Sequence, residues 1–82
     1  MHKAYSSVGT PPMRVIEECS ELIQAICKAE RFGWNNWHPT DPSENTNVLQ
    51  VLKEIKDVQE TVVVLLKDIA LTYNVDLSTC GL

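Results

Sequence analysis

Apolar residues recur along this chain at helical rather than strand spacing, and they do so in two blocks. In the first, Val15, Ile16, Cys19, Leu22, Ile23, Ile26 and Cys27 follow the i, i+3, i+4, i+7 rule of a single helix face. The block predicts an amphipathic helix over residues 12–32. Pro11 and Pro12 stand where a first helical turn tolerates proline, Thr10 can cap it, and Gly33 can close the far end. The second block, Val48, Val51, Leu52, Ile55, Val58, Val62, Leu65, Leu66 and Ile69, predicts a helix over residues 47–73. Asn47 with Gln50 reads as its capping pair and Asn74 as its stop. By propensity alone the run from Thr61 to Leu66 reads as a strand, but the long helical period around it overrules that. Residues 33–46 carry Pro39, Pro42 and no apolar period, so they form a loop. Residues 1–10 read as a flexible arm, and residues 75–82 as a short tail.

The expected fold is therefore all-α: a helical hairpin of two long antiparallel helices. Two helices cannot cover each other's apolar stripes, and 82 residues make a thin core. A homodimer or homotetramer, built as a four-helix-type bundle, is the expected remedy. Val, Leu, Ile and Phe supply 23 of the 82 residues, enough to exclude disorder as the default. No apolar run reaches the ~18–20 residues that span a bilayer, so no membrane partner is expected. The first residues lack the apolar stretch of a secretory signal, which points to the cytoplasm. Seven Lys and Arg against eleven Asp and Glu leave a net charge of −4, unsuited to binding duplex nucleic acid. Cys19, Cys27 and Cys80 show no CxxC spacing, and Cys19 and Cys27 fall on the apolar stripe as small core residues.

Carboxylates at helical spacing are where chemistry enters. Glu18 and Glu21 stand i, i+3 on the first helix, and Glu54 and Asp57 stand i, i+3 on the second. Each pair holds two like charges side by side, at a cost that a cation or proton can offset. On a helical wheel both pairs flank their apolar stripes by roughly 80–160° and on the same side, so two antiparallel helices can bring them together. Four oxygen donors with neither histidine nor thiolate suit a hard cation, Mg²⁺ above others. The same acids would serve equally as an ordinary solvated helix face, with Glu17 on the solvated side. Lys28 and Arg14 fall in line with Glu18 and Glu21 and could meet a phosphate, or simply pair with glutamates; Arg31 is a weaker choice.

The loop adds Trp34, Asn35, Trp37 and His38 in a chain with few aromatics. Indoles offer stacking faces and amides can read a base edge, although both tryptophans could instead seal the bundle end. His38, before a proline, reads first as a loop hydrogen-bonder. No phosphate-binding glycine loop and no nucleophile elbow occur.

Taken in order, Glu17-Glu18-Cys19-Ser20-Glu21 resembles the EExxE element of the MazG-like all-α nucleoside triphosphate pyrophosphohydrolases. Glu54-Ile55-Lys56-Asp57 resembles their downstream ExxD element, and Trp37-His38-Pro39 is similar to the loop of short phage-encoded members. The resemblance spans residues 13–75, with a long interval between Glu21 and Glu54. It implies Mg²⁺, with Mn²⁺ able to substitute, held by Glu18, Glu21, Glu54 and Asp57. It also implies an obligate oligomer, and hydrolysis of a (deoxy)nucleoside triphosphate to the monophosphate and pyrophosphate. Glu18, Glu21 and Lys28 would serve catalysis; Lys28, Arg31, Trp34, Asn35, Trp37 and His38 would bind substrate. Thr61 stands where many members carry a base contact.

Overall fold

The computed structural model describes residues 9–43 and 45–82. The arm expected over residues 1–10 thus lies outside the described residues except for Gly9 and Thr10. Two helices make up most of the rest, α1 (Pro11–Phe32) and α2 (Asn47–Thr72), followed by a 3₁₀ turn at Leu77–Cys80. No strand occurs among the described residues.

Helix α1 begins where its prolines permit. Thr10 is extended and its Oγ1 accepts from the Met13 N–H at 3.4 Å, while Pro11 and Pro12 fill positions whose N–H would be orphaned anyway. Gly33 ends the helix at φ 99°, its N–H donating to the Ala29 carbonyl. A side chain at Gly33 is opposed twice. The φ is one that L residues rarely adopt, and a Cβ would lie 2.6 Å from Asn36 Nδ2. Gly33→Ala is therefore expected to cost about 1–3 kcal/mol, seen as a lower thermal midpoint. An unchanged melt would mean that the loop re-forms freely around the new methyl group.

Helix α2 starts differently from the capping pair the sequence suggests. Thr46 holds the cap position without a side-chain bond, and Asn47 is already the first helical residue. The loop backbone does the capping instead: Asn47 N–H donates to the Asn36 carbonyl at 2.7 Å and Val48 N–H to the Trp34 carbonyl at 2.8 Å. Asn47 Nδ2 then donates to the Gly33 carbonyl at 2.8 Å, tying the two helix ends together. At the far end Asn74 takes a positive φ of 53° just past the Tyr73 cap, as a helix stop does. Asp76 caps the 3₁₀ turn, and its bonds from the Ser78 hydroxyl and N–H hold its carboxyl below the usual range. Asp41 does the same with Ser43 inside the loop.

The Gly33 end of α1 meets Asn47, while Glu18 and Glu21, further back in α1, meet Glu54. Numbering falls on one helix as it rises on the other, so the pair is antiparallel. On α1 the facing surface is not the most apolar one. Glu18 and Ala29 of α1 are buried, with Arg14, Leu22 and Ala25 half-buried between and beside them. Asn47, Val51 and Thr61 of α2 are buried, with Glu54, Val58 and Leu65 half-buried. The positions 18, 22, 25, 29 and 47, 51, 54, 58, 61, 65 alternate steps of four and three, the rhythm of a two-helix seam.

On α1 the stripe read from the sequence faces largely outward, with Ile16 60% exposed and Ile23 62%, whereas on α2 Val51, Val58 and Leu65 of the stripe lie in the seam and only Leu52 of the stripe is exposed. Cys19 is half-buried and Cys27 exposed, so the pair is not the set of core residues that periodicity suggests. The molecule measures 49 × 29 × 17 Å, close to one layer of helices about 10–12 Å across, which leaves both broad faces open. No helix among the described residues is long and apolar enough to cross a membrane.

Candidate metal centre and adjoining pocket

The seam brings three acids together. Glu18, Glu21 and Glu54 each offer a carboxylate oxygen, and the three atoms lie within 4.8 Å of one another. Helical geometry explains the first two, since residues three apart share a face. Glu54 joins them because it occupies a seam position of the opposite helix, one turn past Val51. Glu18 is 8% exposed, and its Oε2 and the Oε2 of Glu54 are buried without a hydrogen-bond partner. A buried carboxylate oxygen left unpaired costs a few kcal/mol, more than most surface contacts return. Arg14, one turn before Glu18 in the same seam, also has a buried Nε without a partner.

Asp57 is half-buried on α2 but stands outside this group, so the second element contributes Glu54 alone to the cluster. Glu17 stays outside too, and its carbonyl accepts from Ser20 Oγ at 2.7 Å. Thr61 is buried in the seam with its Oγ1 donating to the Val58 carbonyl at 2.9 Å, so it lines neither cavity described below.

One cavity lies beside Glu21 and Glu54, and a second adjoins it. The first, smaller one of about 190 Å³ is lined by Glu21, Gln24, Ala25, Lys28, Gln50 and Glu54, with Asn47 at its edge. The larger one of about 520 Å³ is lined by Phe32, Asn36, Trp37, His38 and Pro39, again with Lys28 and Asn47. Lys28 and Asn47 line both, so the cavity that Glu21 and Glu54 line adjoins the one that holds the two aromatic rings. The larger cavity is in the size range of small-molecule sites.

Of the loop residues singled out by sequence, Trp37 and His38 line this space. Trp34 does not; its indole Nε1 donates to Glu30 Oε1 at 3.3 Å and its carbonyl caps α2. Asn35 is exposed and lines neither cavity, and the Arg31 guanidinium sits 6.0 Å from the Phe32 ring centroid, also outside both. Phe32, Asn36 and Asn47 take their places. Asn36 folds back on the end of α1, its Nδ2 donating to the Phe32 carbonyl at 2.6 Å. His38 is the loop hydrogen-bonder its context suggests, with Nδ1 accepting from the Thr40 N–H at 3.2 Å.

No family model matches the chain, and neither does any curated protein or solved structure. The donor set is carboxylate oxygen throughout, and two of its oxygens are buried without partners. Such a donor set suits a hard divalent cation.

Proposed function

We propose that this chain is a Mg²⁺-dependent nucleotide pyrophosphohydrolase of the MazG-like type, cleaving a (deoxy)nucleoside triphosphate to the monophosphate and pyrophosphate. One observation supports the reading: Glu18, Glu21 and Glu54 cluster, Glu18 and Glu54 each with one buried unpaired oxygen, and Lys28 lines both the cavity beside Glu21 and Glu54 and the adjoining aromatic one. A polyanion with a planar ring at one end fits that order of groups.

Glu18, Glu21 and Glu54 hold the ion, with Asp57 one turn further along α2. When bound, Mg²⁺, or Mn²⁺ in its place, supplies positive charge to the triphosphate oxygens and to the attacking water. Lys28 binds the phosphate chain and offsets charge on the departing pyrophosphate. Glu21, which lines the smaller cavity, orients the water and takes its proton. The water oxygen bonds to a phosphorus of the α–β bridge, that bridge breaks, and the bridging oxygen leaves with the other product. Trp37 and Phe32 flank the base. The test is a phosphate-release screen of the common NTPs and dNTPs with Mg²⁺ and added pyrophosphatase. Absence of turnover above a Glu21→Ala control would remove the enzyme. Asp57 standing apart from the cluster favours a second reading, a silent helical module, and tight nucleotide binding without product would select it.

The tryptophans separate in this reading. Trp37→Ala is expected to raise KM by about tenfold or more, from ~1–3 kcal/mol of lost stacking. Trp34→Ala is expected to lower the melting temperature and leave KM alone. The reverse pattern would move the base to the other indole.

Self-association completes the proposal. Ala29 and Val51 are the only buried apolar residues among those described, while Ile16, Ile23, Leu52 and Val63 are each at least half exposed. So small a core does not sustain a chain of this length alone. A second copy covering the outward stripes, as a homodimer or homotetramer acting in the cytoplasm, supplies it. Light scattering at micromolar concentration should report at least twice 9.2 kDa, and a stable folded monomer would contradict the assembly.

A further inference from the structure

The two broad faces of the helix layer differ in chemistry. We infer that a second copy packs on one of them, the face turned away from the carboxylates, about a two-fold axis. Each protomer then keeps its own acids, turned to solvent on the outside of the pair. This rests on the self-association proposed above and adds which surface makes it.

The seam defines the sides. Counted at about 100° per residue from Glu18, which faces α2, the residues Val15, Cys19, Leu22, Ile23 and Ile26 stand roughly 40–140° to one side of α1. Counted likewise from Val58, the residues Val48, Leu52, Ile55, Val62, Val63 and Leu66 occupy about the same arc of α2. Two antiparallel helices are related by a two-fold axis normal to their layer, which carries that side of one onto the same broad face as that side of the other. The two sets therefore form a single surface. The smaller cavity gives an independent check: Glu21, Gln24, Lys28, Gln50 and Glu54, which line it, all fall on the opposite side of the seam.

Charge divides the faces. Within the apolar arc the one charged side chain among the described residues is Glu30, at the loop end, where its Oε1 accepts from Trp34 Nε1. Glu17, Glu21, Lys28, Glu54, Asp57 and Asp68 lie on the other face. Copies of a chain of net charge −4 repel each other, and they do so least with their charged faces outward. An uncharged face also meets its own copy without a like-charge contact, as an isologous two-fold interface requires. Ile23, Leu52 and Val63 on it are each at least half exposed in the single chain. The 22 residues of α1 run about 33 Å, and two helices about 10 Å apart make a face ~20 Å wide. That is roughly 660 Å² in flat projection, before side-chain relief is added, against the ~800 Å² that each partner buries in a standard interface.

Light scattering of wild type, Ile23→Glu and Lys53→Glu tests the choice of face; Lys53 is exposed on the acid-bearing side. Wild type and Lys53→Glu are expected at no less than twice 9.2 kDa, and Ile23→Glu at 9.2 kDa. Any pattern other than dissociation by Ile23→Glu alone overturns the inference. Should Ile23→Glu lose its helices by circular dichroism, thiol labelling decides instead. The chains then carry Ile23→Cys or Lys53→Cys as their one cysteine, with Cys19, Cys27 and Cys80 changed to serine. In the associated protein Ile23→Cys is expected to react about tenfold or more slowly than Lys53→Cys, and equal rates overturn the inference. A wild-type monomer removes self-association together with the inference, whereas an oligomer joined through the acid-bearing face removes the inference alone. Neither measurement depends on turnover.

Discussion

Replacing Glu54 with glutamine is expected to lower Mg²⁺-dependent turnover by at least about a thousandfold. The metal's charge stabilisation is worth several kcal/mol, and each ~1.4 kcal/mol is a factor of ten. Glutamine keeps the volume of the seam position and removes only the charge, so the helix pair should fold as before. Its apo stability should match or exceed that of the wild type, because Glu54 Oε2 is buried without a hydrogen-bond partner and its ionised form gains nothing there. The comparison with Asp57→Asn is informative. Asp57 lies outside the three-acid group, so its loss should cost less than that of Glu54 while the cluster keeps its present geometry. Equal losses would mean that α2 turns on binding the ion and brings Asp57 in. Turnover by Glu54→Gln within tenfold of wild type would take the chemistry away from this cluster altogether.

The helices were legible because their signals are local. Thr10 before two prolines, Gly33 after Phe32, and Asn74 after the second apolar period mark three of the four ends, each to within about a residue. The fourth, at Asn47, is also where the sequence places it, but its capping depends on a partner distant in sequence: the first N–H groups of α2 are taken by the carbonyls of Trp34 and Asn36, which no cap motif announces. That is why Asn47 reads as a cap from the sequence and stands as the first helical residue in the fold. The acids were legible as a cluster for a similar reason. Spacing of three puts Glu18 beside Glu21, and an antiparallel partner can bring Glu54 opposite.

Which face meets which was harder to read. Period alone identifies an apolar stripe, but Ala25, Ala29 and Thr61 let the backbones close on a smaller, more polar seam. Helix α1 thereby turns Ile16 and Ile23 outward and Glu18 inward, and Asp57 falls to the side of the group. The same rotation explains the loop. Asn47 in the seam draws Gly33 and Asn36 over the helix end, so Asn36 and Phe32 line the pocket where Asn35 and Trp34 were expected. Residue type singled out the aromatic loop; the long-range hydrogen bonds decide which of its members line the cavity.

Magnesium should stabilise the protein far beyond its effect as a salt. A ligand that binds the folded chain alone contributes about 2.7 kcal/mol at 100 times its Kd. For a domain of this size that is a rise of roughly 10 °C or more in thermal midpoint, measured at fixed protein concentration because association also shifts it. Sodium chloride at equal ionic strength screens exposed charges but cannot complete the bonding of a buried carboxylate. Glu18→Gln sharpens the comparison. Glu18 is the most buried of the three acids and carries an unpaired Oε2, so the amide should leave the EDTA melt unchanged or raised while abolishing most of the Mg²⁺ shift. Lys56→Gln, which breaks the exposed Lys56–Glu60 pair at 3.9 Å, should move neither melt by more than a few tenths of a kcal/mol and serves as the surface control. A solvated acidic face behaves otherwise: magnesium and sodium at matched ionic strength raise the melt alike, and Glu18→Gln responds as the wild type does. That result would leave Glu18, Glu21 and Glu54 as neighbours in a polar seam, with no ion between them.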